Sequence, residues 1–463
     1  MIPTDGRHAR RRPPWPIAVG AGVLAVLLVA GIMIYAATRA GSRDEFRGGE
    51  VAEAGPSQAP PTLEQPPALE DWPRWGITHT QYSADTAPKQ LSEQAKGVLG
   101  RVPMLQNQHI MGWGVGNPEP RPGQHNLGDL DRRMKFISSS RGIPVITLCC
   151  APDWMKGGQA GRTDWSKNHT VAPKREHFDD YAKLAAKVAK QYPTVKHFMV
   201  WNEFKGFWDT TSNRWDAEAY TEMYNKVYAA LKQVDDDIQV GGPYVPIGSD
   251  SGTGASELTG PWGTIDQRAL DAIEYWIQHK KGADFIVVDG ASMTNDKGNI
   301  PDDFAAQAKF GAITTWLREK SNEMPVWWAE WYVEPDNSGW SEDKRTAVQA
   351  TALMEFAKSG VTSALYWNPQ TKGQGVCPGC LWSTGGGQGD MPMAGLLSGF
   401  TRWFPLGVRL QQVETSDERI RVLAQERQVV MVNTADADVT ATVDGKQVTL
   451  KPYEVKWEGR GQG

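Results

Sequence analysis

VKHFMVWNEFKGFW, residues 195–208, carries an apolar run, Phe198-Met199-Val200, that ends in an amide and a carboxylate, Asn202 and Glu203. A buried strand turning into a polar loop explains that change of texture; so does one half of a catalytic site. The choice depends on what similar runs do elsewhere in the 463 residues. They recur regularly: WGIT near 75, VPML near 102, IPVITL near 143, VKHFMVW near 195, IQVGGPY near 238, DFIVV near 284, PVWWAEW near 325 and TSALYW near 362. Helical spacing fills the gaps, as in Phe178, Tyr181, Leu184 and Val188, or Tyr220, Met223, Tyr224, Val227, Leu231 and Val234. Gly360 stands where a helix beginning near Ser341 should stop. Short apolar strands separated by helices pair in parallel through right-handed crossovers. Eight of them favour closure into a (β/α)8 TIM barrel, an α/β fold, over an open sheet. No Gly-rich phosphate loop follows the first strand, which argues against dinucleotide binding.

The ends of the chain have a different texture. Residues 17–37 are apolar and uncharged over a length that crosses a bilayer. Arg7, Arg10, Arg11 and Arg12 precede them and favour a cytoplasmic N-terminus, while Arg39, Arg43 and Arg47 follow. The expectation is a transmembrane or signal-anchor helix within 1–40, with a cleaved signal peptide as the alternative. A Pro-rich linker over 41–70 cannot bury a core. The barrel is expected over 71–404, and a small antiparallel β-sandwich-like domain over 405–463, where apolar and polar residues alternate and Asp444-Gly445 signals a turn. The body is thus expected outside the cytoplasm, membrane-tethered or secreted. A net charge of −5 without a basic stripe excludes nucleic acid as a natural partner.

Barrel enzymes place their sites at the C-terminal strand ends. Glu203 ends the fourth strand and Glu330, within WWAEWY, ends the seventh. Two carboxylates across one mouth suit cleavage of a glycosidic bond: one protonates the leaving oxygen, and the other attacks the anomeric carbon or activates water. Of twenty tryptophans, Trp113, Trp154, Trp165, Trp208, Trp262, Trp331, Trp340, Trp367 and Trp382 map to strand ends or the loops after them. Indole faces stack on the C–H faces of sugars, although any single one of these is as readily ordinary packing.

VWNEF with WWAEW, and LDRRMKFISSSRGIPVITLCCAPDWM leading into the third strand, resemble clan A of the glycoside hydrolases, most closely family 39, over roughly 72–458. The resemblance implies a retaining β-glycosidase in which Glu203 is the acid/base, Glu330 the nucleophile and Asn202 a holder of the sugar 2-hydroxyl. Trp367 matches the clan's aromatic floor. Two departures stand out. VVDGASM replaces the family's His-x-Tyr after strand six, whose Tyr contacts the nucleophile, and strand two ends in Gln106-Asn107-Gln108-His109 instead of an arginine.

The expected substrate contacts are therefore Asn202, His109, Trp113, Trp154, Trp208, Trp331, Tyr332, Trp367 and Asn368, with His79 a further candidate. Asp153, Asp209, Asp289 and Glu334 read as loop hydrogen-bonders or minor substrate contacts. Cys377 and Cys380 are expected as a local disulfide, and Cys149 and Cys150 as buried free thiols facing opposite ways. No metal or cofactor is expected, since the histidines form no ligand pattern. The expected substrate is a cell-surface or exported polysaccharide. The alternatives are a non-catalytic carbohydrate-binding barrel and a transglycosylase using the same glutamates.

Overall fold

The computed structural model describes residues 74–252, 254–296, 302–335, 338–367, 379–382 and 391–460. The expected membrane segment and linker, Asn368 and Cys377 lie outside them. No helix among the described residues is long and apolar enough to cross a membrane.

Eight parallel strands close into a barrel in chain order. They are β1 (Trp75–Thr78), β2 (Leu105–His109), β3 (Ile143–Leu148), β4 (His197–Val200), β5 (Gln239–Pro246), β6 (Phe285–Ala291), β7 (Val326–Tyr332) and β8 (Ser363–Trp367). β1 pairs with β8 to complete the ring, Trp75 opposite Ala364. Eight α-helices among the described residues alternate with them: α1 (Lys89–Leu99), α2 (Gly128–Ser139), α3 (Phe178–Gln191), α4 (Ala217–Val234), α5 (Gln267–His279), α6 (Ala308–Lys320), α7 (Glu342–Lys358) and α8 (Pro392–Trp403). Their starts follow local chemistry. The side chains of Asp216, Asp266 and Ser341 accept from backbone N–H groups of α4, α5 and α7, satisfying donors that the first helical turn leaves unpaired. Gly360, at φ 74°, ends the run after α7, as its place in the sequence predicts.

The barrel interior is filled by Leu105, Ile143, Val145, Met199, Tyr244, Phe285, Val287, Trp327, Ala329 and Leu365. Alternate residues of the same strands point outward into the helix layer. Two interruptions of this alternation matter for the site. Between β5 and β6 the register skips Tyr244, since Pro243 faces Val287 and Val245 faces Val288. Between β6 and β7 it skips Ala329, since Val288 faces Trp328 and Asp289 faces Glu330. Each extra residue is a bulge, a device that re-aims side chains at a barrel rim.

Beyond the barrel, β9 (Leu410–Gln411), β10 (Ile420–Gln425), β11 (Gln428–Asn433) and β14 (Val455–Gly459) form an antiparallel sheet, and β12 (Val439–Val443) and β13 (Lys446–Leu450) a hairpin. Asp444 and Gly445, both at positive φ, make its turn. Trp457 of β14 packs edge-on against Phe400 of α8 at 5.3 Å between ring centroids, and Trp75 Nε1 donates to the Phe404 carbonyl at 3.0 Å. The sheet is thereby fastened to the barrel flank, away from the strand C-termini.

Candidate active site

The segment after β4 is held by aromatic packing beneath it. Phe204 stacks on Tyr220 at 4.1 Å, and Trp201 meets Tyr181 and Phe207 edge-on. Trp201 Nε1 donates to the Lys205 carbonyl at 2.8 Å, and the Tyr220 hydroxyl donates to the Val200 carbonyl at 2.8 Å. This packing enforces positive φ at Trp201 (71°), Glu203 (48°) and Phe204 (50°), a region that side-chain-bearing residues seldom occupy and that tends to mark functional turns. The turn folds Lys205 back, so that its ammonium pairs with Glu203 Oε2. Phe204 and Phe207 are thus the foundation of the loop, and the mouth begins at Asn202 and Glu203.

On β7 the bulge at Ala329 lets Glu330 point inward next to an inward neighbour, with Trp328 and Trp331 both outward. Glu203, Asp289 and Glu330 converge: one carboxylate oxygen of each lies within 4.8 Å of those of the others. All three are buried. The Tyr244 hydroxyl, turned in by the β5 bulge, donates to Glu330 Oε1 at 2.9 Å. Asn202 Nδ2 donates to Glu203 Oε2 at 3.3 Å, while Asn202 Oδ1 lies 3.2 Å from His109 Nε2. His109 Nε2 is also 3.8 Å from Glu330 Oε1. Burial pushes the His109 pKa down to about 3, so the ring is neutral, and an Nε2–H donor fixes the orientation of the Asn202 amide.

The electrostatics follow from crowding three acids out of water beside one cation. Burial, then the Glu203 charge, raise the Glu330 pKa to about 8, against the opposing pull of Lys205 and of the Tyr244 hydrogen bond. Burial also acts upward on Glu203, but the Lys205 ammonium beside it outweighs that and holds Glu203 below its ordinary value. Asp289 is driven well above the usual carboxylate range, first by burial and then by Glu203. The ligand-free cluster therefore carries protons at neutral pH. Its spacing would also suit a cation, but the Lys205 ammonium already lies against Glu203, and we assign no metal ligands.

The aromatic expectations divide. Trp113 stacks on His109 at 3.9 Å, lies 4.3 Å from the His169 ring, and meets Trp367 edge-on at 6.5 Å. Lys205 Nζ is 5.7 Å from its centroid. Trp113, Trp367, His109 and Asn202 therefore gather at the carboxylates, as does the Tyr332 hydroxyl, whose pKa burial and the three acids raise. Trp331 does not. It is fully buried against Phe310, Phe356 and Tyr366, because the bulge turns Glu330 in and leaves its successor facing the helices. Trp154 donates to the Glu119 carbonyl at 2.9 Å and packs on His177. Trp208 lies in a hairpin with Trp215 and beneath the Arg268 guanidinium, so both rings are engaged by partners other than Glu203, Asp289 and Glu330. His79 is spent on Ser83 and Gln106.

Asp153, Asp209 and Glu334 are loop hydrogen-bonders, to the Asp164 N–H, the Thr211 N–H and Arg345 respectively. Asp289 departs from that expectation and joins the centre. Cys149 and Cys150 are not free: they are disulfide-bonded to each other. Opposite-facing thiols presuppose extended backbone, and β3 has already ended at Leu148. Cys380 is disulfide-bonded. Lys205, Tyr244 and His169 were missed from sequence; only Lys205, two residues from Glu203, carried a signal there.

No family model matches the sequence, and no curated protein matches it. Solved structures do match. SrfJ from Salmonella typhimurium aligns with a TM-score of 0.59 at 13% identity, covering 87% of this chain and 91% of that one. A monomeric β-xylosidase from Caulobacter crescentus gives 0.51 at 17% identity, covering 80% and 75%. A family 39 glycoside hydrolase from Bacteroides cellulosilyticus gives 0.52 at 15% identity, covering 84% and 81%. The fold is that of the clan A glycoside hydrolases, family 39-like. Within this fold, β4 and β7 deliver Glu203 and Glu330 to one mouth, and Tyr244 of β5 reaches Glu330 in a chain where VVDGASM replaces the family's His-x-Tyr after strand six.

Proposed function

We propose that this chain is a retaining β-glycosidase that cleaves a cell-surface or exported polysaccharide. The observation that carries the reading is the approach of Glu203 and Glu330, a carboxylate oxygen of each within 4.8 Å of the other. That is near the carboxyl separation of about 5–5.5 Å of retaining pairs and short of the ~6.5–9.5 Å that leaves room for water in inverting ones. The clan A fold and the β-xylosidase among the similar structures support a β-linked sugar substrate. The apolar stretch at 17–37 supports a tether that keeps the enzyme at its own envelope.

In the first step Glu203 gives its proton to the leaving oxygen as Glu330 attacks the anomeric carbon. In the second, Glu203 takes a proton from water, which releases the sugar from Glu330. Asn202, oriented by His109, holds the 2-hydroxyl, and Trp113 and Trp367 offer stacking faces. The ligand-free site favours the proton on Glu330 because Lys205 stabilises ionised Glu203. A sugar oxygen arriving at Glu203 displaces that ammonium, and the proton passes to Glu203, which frees Glu330 to attack. Tyr244 then stabilises the ionised nucleophile. The test is a panel of aryl β-glycosides and polysaccharides with product sizing. Glu203→Gln and Glu330→Gln should each abolish hydrolysis while the circular dichroism stays native. Near-normal turnover in either variant removes that residue from the mechanism.

A further inference from the structure

Two catalytic carboxyls of a double-displacement enzyme need one proton between them. Here a third acid shares their space. Asp289 is 1% exposed, and neither of its oxygens receives a hydrogen bond from a protein N–H or O–H donor among the described residues. A carboxylate in that position would be a buried charge with no donor, an arrangement whose cost far exceeds that of a neutral acid. Its neighbour is Glu203, whose Oε2 already receives Asn202 and Lys205. An oxygen of each lies within 4.8 Å of the other, and two buried acids so close are stable when one of them keeps its proton.

Charge counting over the surrounding groups leads to the same state. Glu203, Glu330 and Asp289 can carry three negative charges, against the ammonium of Lys205. His109 and His169 are neutral, held down to about 3 and about 4 mainly by burial. Tyr244 and Tyr332 are neutral phenols. Lys309 of α6, buried and donating to Ser249 Oγ at 3.1 Å, is lowered by burial to about 7 against the opposing charges of Asp250 and Asp289, and adds at most a partial charge. Balance with Lys205 leaves two protons on three carboxyls. If Asp289 keeps one of them, Glu203 and Glu330 share the other.

We propose that Asp289 is a positioning residue that stays a neutral carboxylic acid through the cycle and donates its O–H to Glu203. The inference rests on the glycosidase reading and deepens it. When Glu203 loses its proton to the leaving oxygen, the C1–O bond breaks and the Glu330–C1 bond forms. Asp289 keeps its own proton, and its hydrogen bond strengthens as Glu203 becomes a carboxylate. The covalent intermediate then holds one carboxylate, Glu203, to which the Lys205 ammonium returns once the leaving group departs. In the second step the proton comes from water, and Asp289 again transfers none.

The test compares Asp289→Ala with Asp289→Asn, whose amide N–H restores a neutral donor. Loss of a hydrogen bond to a charged group predicts a kcat about 10- to 150-fold lower in the Ala variant, with KM changing far less. The Asn variant should recover most of that loss. The basic limb of the kcat profile, set by the proton that Glu203 holds in the substrate complex, discriminates by sign. A neutral donor lowers the Glu203 pKa, so its removal in the Ala variant moves the limb to higher pH. An anionic Asp289 would raise that pKa, and both variants would then move the limb to lower pH. That downward shift, or an Asn variant as impaired as the Ala variant, overturns the proposal.

Infrared difference spectra of wild type against the Asn variant at neutral pH supply a readout independent of turnover. The wild type should show one protonated-carboxyl band that the variant lacks; a carboxylate band in its place overturns the neutral state. A wild-type chain that hydrolyses no glycoside yet shows the protonated band would support neutral Asp289 and count against the glycosidase reading alone.

Discussion

Replacing Tyr244 by Phe removes one oxygen and leaves the ring that fills the barrel interior. The lost contact is the 2.9 Å hydrogen bond to Glu330 Oε1, buried on both sides. A hydrogen bond to an ionised partner is worth about 1.5–3 kcal/mol. If Tyr244 stabilises ionised Glu330 on the way to attack, the loss appears in kcat/KM as about 10- to 150-fold. The same change moves a pKa. Tyr244 pulls Glu330 downward against the burial and Glu203 charge that raise it to about 8. Without the phenol Glu330 rises further. The free enzyme holds the shared proton on Glu330, so loss of that proton sets the basic limb of kcat/KM, and that basic limb shifts to higher pH in Tyr244→Phe. Initial rates on an activated aryl β-glycoside across pH, with thermal unfolding to verify the fold, measure both effects. A variant within twofold of wild type with an unmoved basic limb would refute the role given to Tyr244, and with it the claim that the β5 bulge serves the nucleophile.

Lys205→Met removes the cation that lowers both Glu203 and Glu330. Both pKa values then rise, so the acidic and basic limbs should move together to higher pH; a profile that stays in place contradicts the pairing. Trp331→Phe trims a ring packed among Phe310, Phe356 and Tyr366 and should lower stability by about 1–3 kcal/mol through a partly collapsed cavity. Its KM should stay near that of wild type, whereas a KM effect without destabilisation would return Trp331 to the binding face.

The barrel was legible because most of its strands are apolar and its helices keep their period; β2 is the exception, its polar Gln106-Asn107-Gln108-His109 buried just after the apolar VPML by which it was read. Glu203 and Glu330 were legible for the same reason: a charge that ends a buried strand has one place to go. The failures trace to two bulges. Sequence alternation carries no mark of the extra residue at Ala329, so Trp331 was assigned to the mouth when it faces the helices. The extra residue at Tyr244 was equally invisible, so a tyrosine reaching the nucleophile from β5 could not be read from the sequence. Asp289 was visible as an acid at a strand end, but its importance lies in having no donor, which only the packing reveals. Lys205 reaches Glu203 because three residues of the β4 turn adopt positive φ, a geometry set by Phe204 on Tyr220 and by Trp201 on Tyr181.

The covalent step is the centre of the account. A 2-deoxy-2-fluoro β-glycoside with an activated leaving group, of whichever sugar the panel shows to be turned over, should inactivate the enzyme and add one glycosyl mass. Peptide mapping should find that mass on Glu330, and Glu330→Gln should remain unlabelled. Turnover that leaves no adduct, or a label carried by Glu203, would contradict the assignment of Glu330 as the nucleophile.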